Sequence, residues 1–81
     1  MRLETIRHYL DSRGMRYQYR EEDDCGAIDF EHRGLRYHIW EFPAPERGAE
    51  SNVLSAGRSV EYDGDYEQTI LSILQSWEPP Q

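Results

Sequence analysis

Leu3, Ile6 and Leu10 recur at helical spacing, Tyr9 borders the same stripe, and Gly14 stands where a left-handed C-terminal cap belongs. The spacing predicts an amphipathic helix over residues 2–13. From Met15 the period changes to two, with Met15, Tyr17 and Tyr19 alternating with Arg16, Gln18 and Arg20, the pattern of a half-buried strand. Glu21 to Asp24, then Cys25 and Gly26, supply a turn. A second alternation places Ile28, Phe30 and His32 on one side and Asp29 and Glu31 on the other, and Arg33-Gly34 reads as a tight hairpin. A third strand, LRYHIWEF, sets Leu35, Tyr37 and Ile39 against Arg36, His38 and Trp40.

The alternations also imply a register. With Arg33 and Gly34 as the loop residues, Phe30 faces Tyr37 and Ile28 faces Ile39; a four-residue loop in the first hairpin sets Tyr19 against Ile28 and Tyr17 against Phe30. Three strands then share one apolar face. Pro43 and Pro45 end the third strand, and FPAPERGAESN reads as a loop longer than most connections. A fourth strand is expected over Asn52 to Ala56, with Gly57 at a bulge or its end. Asp63-Gly64 makes a turn, Asp65 with Gln68 fits an acidic capping box, and Tyr66, Ile70, Ile73, Leu74 and Trp77 carry a helical stripe to the Glu78-Pro79-Pro80 stop. The expected architecture is one α+β domain over 1–81: helix, three to four antiparallel strands, helix, both helices on the apolar face, and a Pro-rich tail at 78–81.

The same register composes the opposite face. Arg16, Glu31 and Arg36 fall in one cross-strand row, Gln18, Asp29 and His38 in the next, and Arg20, Ala27 and Trp40 in a third. Most of this is the charge pairing of any solvated sheet face. Trp40 is different, because a large aromatic flanked by Arg and His has the composition of an interface hot spot. Two readings stay open for it: exposed, or covered by the Pro43 to Ser51 loop or a fourth strand.

Composition narrows the picture. Leu, Ile, Val and Phe number 15 of 81 residues and the net charge is −7, which borders on disorder, but six Tyr and two Trp supply large apolar bodies. A core this lean favours self-association. No apolar run approaches the roughly 18 residues that span a bilayer. All nine basic residues are Arg, so a Schiff-base or phosphate-loop lysine is excluded, and the acidic balance opposes nucleic acid as a partner. A single cysteine, Cys25, and a start without a signal-type apolar stretch point to a reducing cytoplasm.

Candidate chemistry is sparse. Asp29 and His38 with Glu31 or Glu41 have the donor types of a metal site, but HExxH, paired cysteines and a calcium loop are all missing. Four carboxylates directly precede Cys25 and oppose an activated thiolate, and Ser51, Ser55 and Ser59 have no nucleophile-elbow context. His32 reads as a structural histidine at the sheet rim. The segment DCGAIDFEHRGLRYHIWEFPAPERGAESNV, Asp24 to Val53, resembles the core of a family of short, uncharacterised bacterial proteins. That resemblance implies a bacterial, soluble, stand-alone domain and transfers no activity and no functional residue.

The expectation is therefore a non-catalytic module without a cofactor that binds a protein partner or a second copy of itself, and neither nucleic acid nor membrane. Its candidate contacts are Arg16, Arg20, Arg36, His38 and Trp40 on the sheet, and Glu46, Arg47 and Glu50 in the 43–52 loop. The competing expectation is a small metal-dependent or ligand-binding protein built on His38, Asp29 and a carboxylate such as Glu41 or Glu50.

Overall fold

The structure is a computed structural model that describes residues 2–43, 47–55 and 57–77. It is α+β, with helix α1 (Glu4–Ser12), strands β1 (Tyr17–Glu22), β2 (Cys25–His32), β3 (Leu35–Phe42), β4 (Gly48–Ser55) and β5 (Arg58–Tyr62), and helix α2 (Tyr66–Gln75). The strands form one antiparallel sheet in the order β1-β2-β3-β4-β5. No helix among the described residues is long and apolar enough to cross a membrane.

Both hairpin registers follow from the alternation. Tyr17 faces Phe30 and Tyr19 faces Ile28, while Ile28 faces Ile39 and Phe30 faces Tyr37. The turn between β1 and β2 is shorter than expected, because Glu21, Glu22, Cys25 and Gly26 all join the ladder and leave Asp23 and Asp24 alone at the tip, both at positive φ. Arg33 and Gly34 also take positive φ, the geometry that matches a two-residue loop to the twist of its strands.

Helix α1 is shorter than the expected 2–13 and ends as its glycine requires. Gly14, at φ +68, donates its N–H to the Asp11 carbonyl while Met15 donates to that of Leu10, closing a Schellman motif. Its N-terminus has no cap from its own side chains; Glu67 of α2 instead accepts the Ile6 N–H at 3.1 Å. Asp65 likewise makes no side-chain cap, so the expected capping box with Gln68 is not formed. The expected stop at 78–80 lies outside the described residues.

The sheet has five strands rather than three or four, and β4 begins at Gly48, inside the stretch read as a loop. The reason is chemical. The inward positions of β4 are Ala49, Ser51 and Val53, and α2 packs against this strand, so small side chains occupy the positions where a hydrophobic alternation would show. Ser51 donates its hydroxyl to the His38 carbonyl, and the Asn52 amide accepts from the His38 N–H and donates to the Arg36 carbonyl. These side-chain bonds take over where β4 leaves the β3 ladder at Ser51. Ala56, the expected end of the fourth strand, lies outside the described residues.

One core cluster unites Leu3, Ile6 and Leu10 from the α1 segment, Ile28, Phe30, Ile39, Ala49 and Val53 from the sheet, and Tyr66, Ile70 and Leu74 from α2. Trp77 closes one end, packing on Phe30 and Tyr37 and stacking on His32 at 5.1 Å.

Candidate functional site

The register places Arg20, Ala27, Trp40, Glu50 and Glu61 in one row across all five strands. Gln18, Asp29 and His38 form the neighbouring row. Alternation turns these residues away from the core cluster, so the row reaches solvent.

Trp40 sits at the centre of the row, 39% exposed, and its orientation is held from two sides. The indole N–H donates to Asp29 Oδ1 at 3.1 Å, and the ring lies against His38 with centroids 4.2 Å apart. Arg20 bonds the other Asp29 oxygen at 3.0 Å. Asp29 therefore serves as a brace for Trp40 and Arg20. The Trp40 ring also walls an open hollow of about 410 Å³, with Arg20, Ala27, Cys25, Phe42 and Pro43 among its other walls.

His38 is occupied as well. Its Nε2 lies 3.1 Å from Ser59 Oγ and 3.7 Å from Glu50 Oε2. A serine, a histidine and a carboxylate meet here, but both partners contact the same ring nitrogen. A hydrolytic relay needs the carboxylate on the far nitrogen, orienting the base toward the nucleophile. The arrangement places the imidazole beside a hydroxyl without the carboxylate geometry of that relay.

Glu50 and Glu61 stand directly opposite each other on β4 and β5. Like charges in facing positions destabilise a sheet by a few tenths to about 1 kcal/mol. The pair lies in the Trp40 row, next to the exposed ring.

Of the remaining candidates, Arg16 and Arg36 line a broad hollow on the same face with Gln18, Asp29 and Glu31. Arg47 turns elsewhere, clasping the β1–β2 tip through the Asp24 carbonyl at 2.8 Å and carboxylate at 3.3 Å. Glu46 lies outside the described residues, as do residues 44 and 45.

Glu41 belongs to the opposite face. Only 9% exposed, it faces Ala49 in the ladder and receives Arg2 through Nε and Nη2, both at 3.0 Å, together with the Tyr66 hydroxyl and the Gly26 N–H. The cluster expected from His38, Asp29 and Glu41 is thus split by the sheet itself, whereas Glu50, the other carboxylate considered, lies on the outer face with His38. Among the described residues, no group of three or more His, Cys, Asp or Glu is placed to hold a metal ion. Burial pushes the Glu41 carboxyl up, but the hydrogen bonds from Arg2, Tyr66 and Gly26 outweigh it and hold the carboxyl below its ordinary value of 4.5. Gly26 makes this possible, since a Cβ there would stand 2.9 Å from the Arg2 Cβ.

The sequence did not foretell that Arg2 and Tyr66 meet Glu41, or that Ser59 and Glu61 join the outer face beside His38 and Trp40. Arg2 and Tyr66 come from opposite ends of the chain, and β5, which carries the other two, has too short an alternation to announce itself.

No family model matches the chain, and neither a curated protein nor a solved structure does.

Proposed function

We propose that this protein is a non-catalytic protein-binding module whose docking surface is the outer sheet face around Trp40, and that the partner offers a basic segment. The exposed, braced Trp40 carries the proposal. A large ring held in place by Asp29 and His38 loses little freedom on binding, which is how aromatic anchors come to dominate interfaces. Glu50 and Glu61 supply the charge preference. Their repulsion in the free protein is relieved by a cation placed between them. Laying both helices on the apolar face leaves this surface to a partner, and a cytoplasmic setting and kinship with short bacterial proteins belong to the same proposal.

Two variants test it by affinity capture from a bacterial lysate, with Gln68→Ala on the exposed side of α2 as control. Trp40→Ala should deplete the captured protein about tenfold or more, as expected for a hot-spot aromatic, with an unchanged circular-dichroism spectrum. Glu61→Gln should lower capture while raising thermal stability, because it removes the repulsion the partner would relieve. Equal capture by all three variants contradicts the proposal.

A further inference from the structure

β1 is one end of the sheet, so its outer row of backbone N–H and C=O groups has no strand partner among the described residues. Such an edge pairs with another strand unless something blunts it. Here there is neither a proline nor a bulge in Tyr17–Glu22, and the charges on the edge are of both signs.

Their placement is specific. Arg16, Gln18, Arg20 and Glu22 alternate onto the outer face, with Arg16 just ahead of the strand and lining the outer hollow beside Gln18 and Arg20. Arg20 is satisfied by Asp29. Arg16 and Glu22 are exposed, and neither has an ion-pair partner among the described residues.

We infer that β1 pairs antiparallel with β1 of a second copy about a two-fold axis through Tyr19, joining the unpartnered Arg16 of each copy to Glu22 of the other. A two-fold axis normal to the sheet keeps each face on its own side, so only residues of one face can meet. Centred on Tyr19, it sets Arg16 opposite Glu22 and Gln18 opposite Arg20, each twice. A shift by one pairing step in one direction puts Arg20 against its own copy. A shift the other way puts Arg16 against Arg20. The charge pattern thus admits one register and penalises both neighbours.

The other edge lacks this property. On β5, Arg58 and Glu61 alternate to opposite faces and cannot be joined by the same kind of axis. The β1 edge does not include Trp40, so this inference and the Trp40 docking surface fail separately.

Charge exchange tests it. Sedimentation equilibrium at low salt compares the wild type with Arg16→Glu, Glu22→Arg and the double exchange, all at exposed positions, with folding followed by circular dichroism. The wild type should dimerise. Each single exchange sets like charges together at both ends and should weaken the dimer about tenfold or more, and the double exchange should restore it to within about threefold. Added salt should weaken the wild-type dimer. A wild type that stays monomeric at the highest concentration, a dimer indifferent to the single exchanges, or a double exchange that fails to rescue would each overturn the inference.

Discussion

Glu41 shows how one residue's role depends on parity. One position along β3 separates it from Trp40, and that step carries it from the solvent face to the core side, where Arg2, Tyr66 and Gly26 surround it. Because its carboxyl is held below 4.5 in the folded protein, the ion pair stabilises the fold above the ordinary carboxylate range. That contribution is lost as pH falls through the depressed value. Glu41→Gln removes the charge and leaves Arg2 unmatched, a loss of about 2 kcal/mol at neutral pH, less than for a fully buried pair because Arg2 is partly exposed. Urea unfolding at pH 7 and again near pH 3 should show a gap between variant and wild type that narrows on acidification. A gap of constant size would mean that the charge of Glu41 is not what stabilises the fold. Nothing in the local sequence distinguishes Glu41 from an outward carboxylate except its phase with Tyr37 and Ile39, and its partners lie 39 and 25 residues away.

The elements divide by how their side chains announce them. α1, β1, β2, β3 and α2 bury large apolar or aromatic residues at regular spacing, so their existence, and for the two hairpins their register, could be read directly. The second half of β4 falls within the expected fourth strand, but its first half, Gly48 to Ser51, hid because Ala49 and Ser51 are small and Gly48 looks like a loop residue. β5 hid because Val60 and Tyr62 are its only inward pair. The exposed row suffered in turn: Trp40, Asp29, His38 and Arg20 were legible as neighbours, whereas Ser59 and Glu61 needed a fifth strand. Turn chemistry yields a prediction at this scale. Arg33 holds φ +53 beside Gly34, a conformation that suits Asn better than Arg. Arg33→Asn should therefore stabilise the protein by about 0.5 kcal/mol, seen as a thermal midpoint raised by a few degrees. A lowered midpoint would show that the Arg33 side chain makes a contact worth more than the relieved backbone.

At the scale of the whole molecule, five strands and two short helices make a body of 40 × 21 × 21 Å. A layer this thin has little interior in which to enclose a substrate, and the hollow beside Trp40 is open to solvent. What the fold offers instead is surface: a sheet face with an exposed tryptophan, a facing carboxylate pair and an edge strand that has no partner strand among the described residues. The low aliphatic content that borders on disorder is offset by aromatics, with Phe30, Tyr37 and Trp77 packed together at one end of the core. The two tryptophans therefore sit in different environments, Trp40 exposed on the sheet face and Trp77 packed on the core, and the proposed docking role of Trp40 can be tested in one sample. Hydroxyl-radical footprinting of the captured complex reads the modification of each indole against the free protein. A docking surface centred on Trp40 predicts that its modification drops several-fold in the complex while Trp77, packed against the core, is unchanged; a Trp40 modified equally in both states would contradict it.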